Sequence, residues 1–191
     1  MTAKKIYLSP SNQHWNSYSV GSTNEQKEME AVAKIVKRIL DKAALCETVI
    51  ATSSLAINLA GRTSEAKKLG CKLYLALHSN AGGRGKARGA IAFYHPAQPL
   101  GKKLAAELVS SLNKICPIKS NRSTPIQNGM DVFKGYGLAE IRNPSKQGMV
   151  AVLVETNFHD NPKTAQWIVN NKEKIAKAYV EAIVGSWLEV E

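Results

Sequence analysis

No run of about twenty uncharged apolar residues occurs anywhere in the 191-residue chain, so nothing in it reads as a membrane-spanning helix. The opening Met1-Thr-Ala-Lys-Lys5 passes at once into a predicted strand. It has neither the apolar segment nor the small-residue cleavage site of a signal peptide, so the chain as it stands reads as made in the cytoplasm without a signal peptide. Cysteine is scarce. Cys46, Cys71 and Cys116 are odd in number and far apart, and no two form a CxxC pair. A disulfide framework and a cysteine-type zinc site are therefore unsupported, and each thiol sits among apolar or strand-like residues as packed cysteines do. Repeats, low-complexity tracts and Pro/Gly/Ser linkers are also missing, which leaves residues 1–191 as a single domain large enough to bury its own core.

Acidic residues are few, 15 against 26 basic ones, for a net charge of +11. Such a balance favours a polyanionic partner: nucleic acid, an anionic membrane surface or an acidic wall polymer. The bland alternative is solubility alone. The basic residues are spread along the chain, with no RNP-like aromatic motif, zinc finger or recognition helix, so no nucleic acid is expected.

What is present is alternation of strands and helices. Lys5–Leu8, Thr48–Ala51, Leu73–Leu77, Ala90–Tyr94 and Met149–Val154 read as strands. Between them, Met29, Val32, Ile35, Val36, Ile39 and Leu40 recur at helical spacing over Glu25 to about Ala43, with Asn24 as N-cap. Helical patterns also cover residues 53–69, ended by Gly70, and 99–115. Another starts at Pro162 and runs to the C-terminus with a break near Asn171. Pro117 to Gln147 reads as irregular. The expected fold is α/β: a twisted, mostly parallel sheet of about six strands with helices on both faces.

Two strands end in chemistry. Leu73-Tyr-Leu-Ala-Leu77 delivers His78 to its carboxyl end, before Ser79-Asn-Ala-Gly-Gly83; Val150-Ala-Val-Leu-Val154 delivers Glu155, before Thr156-Asn-Phe158. Ligands of open α/β sheets bind at such strand ends, and a carboxylate at the end of an apolar strand is costly unless something polar meets it. His14, after the first strand, and Glu25, opening the first helix, belong to the same edge. Two imidazoles and a carboxylate make the donor set of a catalytic zinc site, and a further carboxylate can move the proton of the attacking water. Taken singly the signals are weak: a lone His is more often a surface or satisfied core residue, and a Glu at a helix start is usually a dipole or capping feature. Trp167 and Trp187 read as packing residues, His159 as structural, His95 as a surface residue, and Trp15 as a candidate for the cleft wall.

The chain resembles the zinc-dependent N-acetylmuramoyl-L-alanine amidases of the Amidase_3 family, found in bacterial autolysins and phage endolysins. The resemblance rests on Ile6-Tyr-Leu-Ser-Pro-Ser-Asn-Gln-His14, on Thr23-Asn-Glu25, on Leu75-Ala-Leu-His78-Ser-Asn-Ala81, and on Val152-Leu-Val-Glu155-Thr-Asn-Phe158. The last two match the family's His-x-Asn-Ala and Val-Glu-x-x-Phe signatures. The resemblance implies a zinc-exopeptidase-like fold and Zn2+ as cofactor. It implies metal binding by His14, Glu25 and His78, acid/base catalysis by Glu155, and hydrolysis of the N-acetylmuramic acid to L-alanine amide of peptidoglycan at the bacterial cell wall. Family members commonly carry a Gly-His-Gly turn directly after the first strand, whereas Pro10 to Gln13 intervene here; Glu28 and Glu30 stand near Glu25 as alternative carboxylates. A related zinc peptidase, or a non-catalytic module binding wall polymer or another polyanion, is the competing expectation.

Overall fold

Apolar runs place two strands at the centre of the sheet. The computed structural model describes residues 4–51 and 58–188. In chain order the elements are β1 (Lys5–Pro10), α1 (Glu25–Lys42), β2 (Glu47–Ile50), α2 (Leu59–Lys68), β3 (Leu73–Asn80), β4 (Ile91–Tyr94), α3 (Pro99–Ile115), β5 (Ile126–Asn128), α4 (Ala139–Lys146), β6 (Val150–Phe158), α5 (Pro162–Asn170) and α6 (Lys172–Ile183). A π-helical turn, Val184–Leu188, follows α6. Residues 53–57 of the helix expected over 53–69 lie outside the described residues.

The strands form one six-stranded sheet in the order β2-β1-β3-β6-β4-β5. β2, β1, β3 and β6 run parallel, as expected of strands joined by helical crossovers. β4 lies antiparallel to β6, and β5 runs parallel to β4, so the two strands at one edge reverse direction.

Alternation of side chains sorts the sheet into two faces. One carries Ile6, Leu8, Leu73, Leu75, Leu77, Val152 and Val154, in the large core built with α1, α3, α5 and α6. On α1 the 3.6-residue period buries Met29, Val32, Val36 and Leu40 against it; each fully buried side chain of this kind is worth roughly 1.5–3 kcal/mol. Asn24 caps α1 by accepting from the Lys27 amide at 3.0 Å. Asn171 separates α5 from α6 where the sequence pattern breaks: its Nδ2 donates to Trp167 O at 2.8 Å, and its backbone carbonyl accepts from the Ile175 amide at 2.9 Å.

The opposite face carries Tyr7, Tyr74, Ala76, Ala151 and Leu153, packed with Ala66 of α2 and Ile141 of α4. The Tyr7 and Tyr74 rings stack at 5.3 Å. Continuing that face to the carboxyl ends of the strands brings up Ser9, His78 and Glu155.

Two elements lie in a stretch expected to be irregular. β5 has three half-buried residues and no apolar alternation to announce it. α4 has eight residues with Pro144 inside; in so short a helix the proline costs a single backbone bond, so packing of Ile141 overrides the local signal.

Candidate active site

His78 is the centre of the polar cluster. On β3 it is in register with Glu155 on β6, and beyond this pair the register slips so that Asn80 meets Phe158. Such irregularities re-aim side chains beside functional sites. The imidazole is held from both sides: Nδ1 lies 2.9 Å from Glu25 Oε1 and Nε2 lies 2.8 Å from Glu140 Oε2.

Glu25 reaches the site because α1 begins there. It is 1 % exposed, its amide donates to Asn16 O at 2.9 Å, and Asn16 Nδ2 donates to its Oε2 at 2.7 Å. Of the three carboxylates near the start of α1, Glu25 alone meets His78. Glu28 accepts from Thr23 and Lys172, both at 2.7 Å, and Glu30 pairs with Lys34 one turn on.

Glu140, at the start of α4, was not singled out by the sequence. Its Oε1 accepts from Ser9 at 2.5 Å and from Tyr74 at 3.0 Å. Arg62 of α2 braces this shell, with Nη1 donating to Ser9 Oγ at 2.8 Å and to Pro10 O at 2.7 Å. No spacing motif marks Glu140.

The charges follow from these contacts. Burial alone would push the His78 imidazole down, but the bonds from Glu140 and Glu25 outweigh it and hold the ring well above its ordinary value. Burial would likewise raise Glu25 and Glu140; their bonds to His78 reverse the sign, and both carboxyls lie low. Glu155 has no such bond. Burial first, then the negative charges of Glu25 and Glu140, push its carboxyl up to about 7 against a partial counterweight from His78. Its Oε2 is shut off from solvent and has no hydrogen-bond partner among the described residues.

A cleft of about 520 Å³ opens beside this cluster, with His78, Glu140, Leu153 and Glu155 in its lining. Trp15 is part of the wall, as the sequence proposed. His14 is exposed, its ring edge-on to Trp15 at 4.8 Å. The turn that carries it is nonetheless tied to the cluster through Asn16 and through Gln13, whose Nε2 is 3.4 Å from His78 Nδ1. The remaining histidines stay outside the cluster. His159 is buried, stacked on Tyr18 and bonded to Ser79, and His95 accepts from the Ala97 amide in a turn. Trp167 and Trp187 are core residues.

Donor chemistry decides whether a divalent metal suits the site. His78 Nδ1 and Glu25 Oε1 lie 2.9 Å apart and offer the imidazole and carboxylate donors that zinc takes. The buried, unpartnered Glu155 Oε2 calls for a proton or cation nearby. Both observations fit a metal. Among the described residues, however, no three His, Cys, Asp or Glu side chains already form a ligand group, since His14 faces Trp15.

Imidazole and carboxylates gathered at the carboxyl ends of parallel strands, at the floor of a cleft, define an open α/β enzyme. The N-acetylmuramoyl-L-alanine amidase profile, Amidase_3, matches residues 6–184, and the chain belongs to that family of peptidoglycan amidases. The catalytic domain of CwlV, an N-acetylmuramoyl-L-alanine amidase from Bacillus (Paenibacillus) polymyxa var. colistinus, is similar in structure at 20% identity and a TM-score of 0.76, over 98% of this chain and 99% of that one. An N-acetylmuramoyl-L-alanine amidase from Clostridium difficile 630 is similar at 20% identity and a TM-score of 0.75, over 97% of each chain. The N-acetylmuramoyl-L-alanine amidase AmiC2 of Nostoc punctiforme is similar at 17% identity and a TM-score of 0.75, over 95% of this chain and 96% of that one. A search of curated proteins by sequence found no match.

Proposed function

We propose that this chain, as one catalytic domain, is a zinc-dependent amidase that cleaves the bond between N-acetylmuramic acid and L-alanine in peptidoglycan. His14, Glu25 and His78 would hold the metal, and Glu155 would move the proton. The observation that carries the reading is Glu155: a carboxyl in register with His78 on the neighbouring strand, bordering a cleft, with its Oε2 unpartnered among the described residues and its carboxyl pushed up to about 7 in the metal-free protein. A base is most effective when its proton affinity lies near the working pH.

Each residue then has a task. Glu140 fixes the His78 ring through Nε2, which aims Nδ1 at Glu25; Ser9, Tyr74 and Arg62 keep Glu140 in place. Zinc, when bound, would supply Lewis-acid polarisation of the amide carbonyl and of the attacking water. Glu155 takes the proton of that water and returns it to the departing amine of alanine. For His14 the reading requires its ring to turn from Trp15 towards His78 and Glu25.

The +11 charge suits delivery to an anionic wall polymer, with the chain acting at the cell wall as an autolysin or endolysin. Among the described residues no helix is long and apolar enough to cross a membrane. The test is metal analysis of the purified protein together with release of dye from labelled walls. One zinc per chain is expected, with activity lost on chelation and restored by zinc. Full activity in metal-free protein would overturn the zinc reading.

A further inference from the structure

Phe133 is 69% exposed and Trp15 is 62% exposed, yet both line the cleft whose floor holds His78 and Glu155. An aromatic ring held in water is unfavourable by itself. Phe133 is also held in a backbone conformation that bulky residues avoid. Its φ is 53°, followed by 55° at Lys134, 84° at Gly135 and 80° at Gly137.

The loop is firmly built. The Tyr136 amide donates to Phe133 O, the Gly137 amide to Val132 O and the Leu138 amide to Gly129 O, at 2.9–3.1 Å. The Arg142 guanidinium lies 4.1 Å from the centre of the Tyr136 ring, and its Nη1 donates to Tyr136 O and Gly137 O. A tightly hydrogen-bonded turn thus presents an apolar ring to the cleft at a double cost, exposure and backbone strain. Glycine would serve the turn better, so the side chain is there for something other than the turn.

We propose that Phe133 and Trp15 form a saccharide-binding subsite that takes the muramoyl sugar of the substrate beside the reacting amide. This rests on the amidase reading of the same cleft. Flat aromatic faces combined with side-chain amides, here Asn12 and Gln13 on the same lining, suit a pyranose, which offers an apolar face of C–H bonds edged by hydroxyl and N-acetyl groups. A stem peptide offers no comparable flat apolar face. The two rings are specificity-determining residues: they act through substrate affinity and leave the proton chemistry to Glu155.

The test uses Phe133→Gly, Phe133→Trp and the zinc-supplemented wild type. Binding of free N-acetylmuramic acid is followed by NMR titration. Hydrolysis is compared for N-acetylmuramoyl-L-alanyl-D-isoglutamine and for its sugar-free counterpart, lactyl-L-alanyl-D-isoglutamine. Phe133→Gly should weaken sugar binding and raise KM for the muramoyl substrate by about tenfold. It should leave kcat, zinc content and kinetics on the lactyl substrate unchanged, and leave Tm equal or higher because the strained φ is relieved. Phe133→Trp should restore the affinity.

Unchanged sugar binding in Phe133→Gly, or an equal loss on both substrates, overturns the subsite. A lowered Tm with a parallel loss of both activities also overturns it, by making Phe133 structural. A wild type that binds the sugar through Phe133 but cleaves neither substrate refutes the amidase reading and leaves the subsite standing.

Discussion

Replacing Glu155 by glutamine should stabilise the metal-free protein, and the stabilisation should grow with pH. The Glu155 carboxyl is raised from about 4.5 to about 7, by burial first and then by the charges of Glu25 and Glu140. The folded state therefore holds this proton more tightly than the unfolded chain does. For a group raised in this way, the stabilising contribution is complete below the unfolded value near 4.5. It is lost as pH climbs through the folded value near 7. Keeping the ionised carboxylate in place thus costs the wild type on the order of 3 kcal/mol at pH 8 and less than about 1 kcal/mol at pH 5, reduced by whatever screening the cleft water provides.

Glutamine keeps the shape and never ionises. At roughly 2–4 °C per kcal/mol for a chain of this size, the Glu155→Gln midpoint should exceed wild type by about 6–12 °C at pH 8 and by no more than about 4 °C at pH 5. Calorimetry in chelator at the two pH values reads the difference. Equal shifts at both, or a lower midpoint for the variant at pH 8, would refute the idea that Glu155 is a carboxyl under electrostatic strain.

Glu140→Gln removes the charge behind His78 while keeping an acceptor, so zinc affinity should fall about 10–100-fold in a chelator competition; unchanged affinity would leave Glu140 a purely structural role. Chelation should abolish hydrolysis but preserve the far-UV circular dichroism, because the sheet carries apolar cores on both faces; collapse of the spectrum would make the metal structural. Binding to whole walls should weaken steeply with salt, since exposed charges are screened within about 8 Å at physiological ionic strength, whereas hydrolysis of a small muropeptide should barely respond. Identical salt responses would argue against electrostatic delivery, and tighter binding to duplex DNA than to walls would point to nucleic acid instead.

The legible parts of the molecule were those with long-range regularity. The apolar runs into His78 and Glu155 were readable because β3 and β6 are buried on both faces, and a buried strand must be apolar almost throughout. Asn24 and the break at Asn171 were readable because caps use a small residue vocabulary. β5 and α4 were not, since one is three residues long and the other contains Pro144; both exist through tertiary packing. Glu140 was hidden with them. Its role comes from where α4 docks over the sheet, which no residue spacing encodes. The sequence placed His14 at the same strand-end edge, but it could not specify where the ring of a residue on a turn would point.

The most direct test of the account is mass spectrometry of purified peptidoglycan digested by the zinc-loaded protein. The account predicts release of stem peptides with a free L-alanine amino terminus, together with glycan strands whose muramic acids keep their lactyl groups. It also predicts that Glu155→Gln retains zinc while product appears about 10²–10⁴-fold more slowly. Cleavage at a glycosidic or peptide bond, or undiminished product from Glu155→Gln, would contradict it.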